Sequence, residues 1–237
     1  GNRTNDVYYT TKNGKIAYDS VRAIAAENYF YKITILTDKH VEVIKSFSQQ
    51  SPEHLQTQHM SYLTDILKIQ NAEKIYRNSG IRNQEAEALL HATKCNIIEN
   101  LHSSHEDIAK QVLSALADER LDILQDNKHM VEFMSFLGHQ IVRTKANRDE
   151  LLKILHRRNA LEIEVADAIA HSWWFLSYMF GMNLGFSLLI GRHDARHALL
   201  VNDTDIPFIT SDHPVVNVHS CVSETEFSVP EHADFYY

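Results

Sequence analysis

Over residues 38–158 the apolar side chains recur three and four positions apart, and strong helix formers fill the gaps. That spacing puts an apolar group on one helix face at every turn. A helix of such length is foreign to a compact domain, so its breaks decide the architecture. Ser51-Pro52, Asn78-Ser79-Gly80, Ser103-Ser104 and Asp126-Asn127 are the visible ones and predict about five helices. Ser51-Pro52-Glu53 places proline in a first turn, where its missing N–H does little harm. Ser104-His105-Glu106-Asp107 reads as a cap followed by acids suited to a helix amino end. A further long helix is expected over 159–190.

The two flanks carry a different period. Val7-Tyr8-Tyr9-Thr10-Thr11 is aromatic and β-branched and runs into Asn13-Gly14, a strong hairpin signal; a short helical stretch after Asp19-Ser20 follows. Beyond Gly191, the runs 197–201, 207–210 and 215–218 are short and separated by turn residues, the pattern of an antiparallel meander. The expected fold is α+β: a mostly helical bundle of about six helices packed with a small antiparallel sheet, formed by the N-terminal hairpin and the C-terminal strands. A single domain over 1–237 is expected, divided into 1–36, 37–190 and 191–237. The chain stops on Phe235-Tyr236-Tyr237, which reads as mid-strand, so flanking segments are expected at the ends.

Charge and cysteine usage narrow the partners. The net charge of −8 argues against coating nucleic acid by bulk attraction, although a local basic site stays open. No secretory leader is visible, and Cys95 and Cys221 stand far apart without a CxxC spacing, so a reducing cytoplasm is expected. Residues 173–190 are apolar but interrupted by Ser177, Asn183 and Ser187, and are read as a buried helix without a membrane role.

Chemistry concentrates on the helix expected from Lys128 to about Asn147. Its apolar stripe is Met130, Phe133, Met134, Phe136, Leu137 and Ile141, and Gln140 and Thr144 fall within ~20° of Phe133, with Arg143 on the flank. Buried polar groups need defined partners, so these side chains either line a cleft or tie the helix into a structural network. Asp212 ends a strand before His213-Pro214, a position open for binding or catalysis, and equally one for an Asx-turn.

Other signals are weaker. His193-Asp194-Ala195-Arg196-His197 resembles a zinc helix with Asp in place of Glu, but it follows Gly191 and enters a strand; no metal is assigned. The same stretch contains Arg192 and His197 in an R-x4-H pattern like that of helical HEPN ribonucleases, in a non-helical passage where a structural reading is favoured. His102 and His105 are read as flanking an interhelical loop without a companion cysteine. Trp173-Trp174 belongs to the core, and no glycine-rich phosphate loop or GxSxG elbow exists among the seven glycines.

Three segments together resemble an uncharacterised, mainly bacterial family, domain of unknown function 4238. They are Ala25-Ala26-Glu27-Asn28-Tyr29-Phe30-Tyr31, the Gln-x-x-Arg-Thr helix at Phe136-Leu137-Gly138-His139-Gln140-Ile141-Val142-Arg143-Thr144, and Pro207-Phe208-Ile209-Thr210-Ser211-Asp212-His213-Pro214-Val215-Val216. The family usually begins with a His-x-x-Pro element, which has no counterpart here. The resemblance implies fold and site position rather than a reaction. It places Gln140, Arg143, Asp212 and His213 as catalytic residues, with Thr144 and Ser211 binding ligand. The reading is a cytoplasmic, nucleic-acid-directed hydrolase of bacterial defence or toxin type, with a polar cleft between the Gln140 helix and the Asp212 strand unit and an unknown cofactor. The alternative is a non-catalytic binding or regulatory module, with a protein partner or a second copy meeting an exposed helical face.

Overall fold

The computed structural model describes residues 6–11, 13–20, 30–155, 160–194, 196–206, 215–217 and 235–236. Backbone contacts divide the chain into two compact units, 1–30 and 31–237. In the first, β1 (Asp6–Thr10) pairs antiparallel with β2 (Ile16–Ser20), setting Tyr8 opposite Tyr18 with ring centroids 4.9 Å apart. The expected Asn13-Gly14 turn closes this hairpin, with Gly14 at φ 73°, a backbone region that favours glycine.

The second unit holds seven α-helices among the described residues: α1 (Asp38–Ser48), α2 (Glu53–Asn78), α3 (Gln84–Ala117), α4 (Asn127–Val142), α5 (Lys145–Leu155), α6 (Ala160–His171) and α7 (Trp173–Gly191). A 3-10 turn, Leu121–Gln125, joins α3 to α4. Two-residue strands β3 (Val216–Asn217) and β4 (Phe235–Tyr236) pair antiparallel. The fold is thus mostly helical with small antiparallel pairs, as expected. The strands form two separate ribbons, β1 with β2 and β3 with β4. Residues 21–29 and 207–214 lie outside the described residues, and with them the expected early helix and a meander strand. The expected strand over 197–201 does not form. Leu200 and Val201 are 62 % and 57 % exposed there, and among the described residues no strand pairs with them.

Three boundaries differ from the expectation. The Ser103-Ser104 break is absent, because α3 runs straight through it. Both serines face solvent, while His102 turns fully inward, so packing outweighs the local capping preference. The helix expected to reach Asn147 ends at Val142, and Thr144 starts α5 instead, its Oγ1 accepting from Asn147 N at 3.3 Å. The helix expected over 159–190 is interrupted at Ser172, whose buried hydroxyl donates to Ala168 O at 2.6 Å. The break at Asp126 is as expected, with its carboxylate capping Lys128 N and His129 N.

Two apolar clusters make the core. One joins α1, α2 and α3 to α6 and α7 through Ile44, Ile66, Ile98, Ile169 and Leu176. The other gathers Val112, Met134, Phe136 and Val215 around α4. Between them α4 and α7 meet backbone to backbone. A Cβ on Gly138 would collide with the backbone of Gly181 and Gly185, and one on Gly185 would stand 2.9 Å from Met134 O. Among the described residues α7 is the helix long and apolar enough to cross a bilayer, and the bundle buries its residues 173–179.

An extended segment, residues 32–37, crosses the helices and fixes where Tyr31 sits. Gln70 of α2 clasps Leu36 through both backbone groups at 2.8 Å, and Ile33 N donates to Lys94 O at 2.9 Å. Trp174 Nε1 donates to Thr34 Oγ1 at 2.9 Å.

Candidate functional site

The glycine seam brings three imidazoles together. On α3, His102, His105 and Glu106 share one face at three- and four-residue spacing; Ser135 and His139 on α4, and Arg143 at its C-cap, do so at four-residue spacing. His139 packs its Nδ1 edge against Gly181, where any side chain would strike the ring. His105 lies beside it with centroids 4.3 Å apart, and His102 meets it edge to face at 5.5 Å. Tyr178 of α7 packs against His139 at 4.8 Å, and Tyr31 against His102 at 4.9 Å.

Hydrogen bonding within the cluster is uneven. His105 Nε2 meets Tyr178 Oη at 2.8 Å, and its Nδ1 meets Ser135 Oγ at 3.5 Å. His102 and His139 are each 2 % exposed, and none of their four ring nitrogens has a hydrogen-bond partner among the described residues. Burial holds all three imidazoles neutral. It pushes His102 down to about 3, with Arg143 and His105 adding to it. The same desolvation lowers His105, and lowers His139 strongly with help from its charged and imidazole neighbours. Burial raises the Tyr178 hydroxyl, and raises Tyr31 to about 12.

Arg143 closes one end of this group. It forms an ion pair with Glu106, the two side chains being 24 % and 42 % exposed. Its carbonyl accepts from the Tyr31 hydroxyl at 3.4 Å. Gln140 and Thr144 are 7 % and 8 % exposed, so polar groups do continue the buried stripe. Asn147 Nδ2 donates to Val142 O at 3.2 Å, covering the end of α4. Gln140, Arg143 and Thr144 therefore stand within one turn of each other at the α4–α5 corner, while Ser211, Asp212 and His213 lie outside the described residues. His193 and Asp194 sit in a turn after α7 rather than in a helix, so the zinc-helix pattern is not formed. Among the described residues no three His, Cys, Asp or Glu side chains converge as a metal ion requires.

A family description, Protein of unknown function (DUF4238), matches residues 2–185. The chain belongs to the DUF4238 family. The match covers every residue of the histidine cluster and the Gln140–Thr144 corner, and it ends within α7, before the Ser211-Asp212 segment. No curated protein and no solved structure matches the chain.

The sequence reading reached Gln140, Arg143 and Thr144 through helical phase, and set aside His102 and His105 as loop residues. The missed signal was spacing: His102, His105 and Glu106 fall on one face once the serines between them are read as solvent-facing. His139 and Ser135 could have been found by stepping back four residues at a time from Arg143.

Proposed function

We propose that this DUF4238 protein is a cytoplasmic, nucleic-acid-directed hydrolase in which Arg143 holds an anionic group of the substrate. Gln140 and Thr144 support that corner, and the Ser211-Asp212-His213 segment supplies the proton-transfer groups. The observation that carries the reading is the setting of Arg143. Among the described residues its ion-pair partner is Glu106, on another helix, and the two side chains are part-exposed, at 24 % and 42 %. An ion pair this exposed stabilises a fold by roughly 0–1 kcal/mol. A fold-holding role thus accounts for little of the guanidinium, whereas a planar cation beside neutral imidazoles suits capture of a phosphate. The test is nuclease assay of Arg143→Ala and Asp212→Asn on single- and double-stranded DNA and RNA. Loss of at least about 100-fold in both variants, with unchanged melting, is the expected result. Wild-type cleavage by both removes the assigned site.

A second reading has its own support. The Thr144 cap and the bond from Tyr31 to the Arg143 carbonyl tie this corner into the bundle, as a non-catalytic binding module would need. That reading predicts that Arg143→Ala and Asp212→Asn each lower stability strongly, toward the ~3–5 kcal/mol of a buried charge that loses its partner and well beyond the roughly 0–1 kcal/mol of a part-exposed pair with Glu106.

A further inference from the structure

We propose that Ser135, His105 and Tyr178 form a nucleophilic relay that hydrolyses carboxylic esters, a site distinct from the Arg143 corner and independent of its role. Helical hydroxyls in this chain ordinarily bond the carbonyl four residues back, as Ser46 does to Glu42 O at 3.0 Å, Thr57 to Glu53 O at 3.0 Å and Thr64 to Met60 O at 2.7 Å. Ser135 instead turns its Oγ toward His105 Nδ1. At 3.5 Å the contact is long, as nucleophile–base contacts commonly are before substrate binds. The other ring nitrogen is held by Tyr178 Oη at 2.8 Å, which fixes the ring as the third member of a triad does. Burial follows the same order: Ser135 and His105 are partly exposed, and the orienting Tyr178 is 2 % exposed.

Proton positions are consistent along this line. With His105 carrying its proton on Nε2 and donating to Tyr178, Nδ1 is free to accept from Ser135. Ser135 Oγ then bonds to the ester carbonyl carbon while its proton passes to His105. The bond from that carbon to the alcohol oxygen breaks, and the alcohol leaves with the proton from His105. Water repeats the sequence, releasing the acid and restoring Ser135. A neutral carbonyl suits this place better than a phosphate. The side chains that touch the His105 ring, those of Ser135, His139 and Tyr178, are uncharged groups, and the Arg143 guanidinium is engaged by Glu106.

The experiment exposes the full chain to a fluorophosphonate and to p-nitrophenyl acetate, and maps any adduct by mass spectrometry. A single adduct on Ser135 is expected. It should be absent in Ser135→Ala and formed about 100-fold more slowly in His105→Gln, and unaffected by Ser46→Ala on the exposed face of α1. Tyr178→Phe should slow labelling and move its pH profile, which a purely structural role would leave in place. Should Ser135→Ala fail to fold, Ser135→Cys tests the same geometry through His105-dependent alkylation of the new thiol. No adduct on the folded wild type, an adduct elsewhere, or ester turnover undiminished in Ser135→Ala overturns the proposal.

Discussion

At the corner of α1 and α2, His59 is 1 % exposed and its Nδ1 meets the Ser48 hydroxyl at 3.1 Å; at the α4–α7 seam, His102 and His139 are 2 % exposed and bond to nothing among the described residues. Burial is equal in the two places, but the surroundings are not. His59 is lowered to about 4 by desolvation alone, whereas His102 is lowered to about 3, mainly by desolvation, with a guanidinium and a second imidazole adding to it. The Ser48 hydroxyl meets one nitrogen of the lone His59 and leaves its Nε2 without a partner among the described residues. Gathering three imidazoles and an arginine works against stability, and such polar concentrations tend to mark sites of function.

The largest test of this contrast lies in the seam backbone. Gly138→Ala drives a methyl into the α7 backbone and should cost about 3 kcal/mol or more, or prevent folding. Gly191→Ala, at the end of the same α7, meets nothing within 4 Å and should be neutral or slightly stabilising. Urea midpoints of the two variants measure the difference. Equal midpoints would mean that the helices do not approach so closely.

Acid gives the next effect. The folded imidazoles are held below their ordinary value, so above about pH 6.5 both folded and unfolded chains carry them neutral and nothing is lost. As pH falls below that, the unfolded chain takes up protons that the folded chain refuses, and stability drops. His102 alone should remove about 2 kcal/mol between pH 7 and pH 5. The loss at the His59 corner levels off near pH 4, while that of His102 continues to about pH 3. Urea titrations of His102→Phe should show a shallower pH dependence; an unchanged slope would place the acid sensitivity elsewhere.

The smallest effect falls at the far end of the seam. Thr144→Ala removes a cap and should cost ~1 kcal/mol, while Ser104→Ala, in the exposed middle of α3, should be neutral or stabilise by a few tenths of that. Thermal melting of both variants tells a true helix start from an apparent one.

Those two residues also show how far the amino-acid sequence could be read. Ser104 followed by two acids has the local chemistry of a helix start, yet the inward turn of His102 depends on α4 and α7, which are distant in sequence. Helical phase did predict that Gln140 and Thr144 would be buried, because Phe133 and its neighbours mark the inward direction on their own helix. It could not predict that Thr144 belongs to the next helix, since Thr in a helix and Thr at a cap look alike until Asn147 is seen to donate. The break at Ser172 was hidden for the same reason. The histidine cluster was illegible because its members come from separate helices, joined by a glycine contact with no local signature.

The segment 32–37 has a mechanical consequence. Gln70 on α2, Lys94 on α3 and Trp174 on α7 each hydrogen-bond to it, so three helices hold one extended strap. It leads straight to Tyr31, whose hydroxyl grips the carbonyl of Arg143 and whose ring lies on His102. Contacts thus run without a gap from Gln70 on α2, through residues 31–37, to the arginine corner. The position of Arg143 is in this way set partly by a helix to which it does not belong.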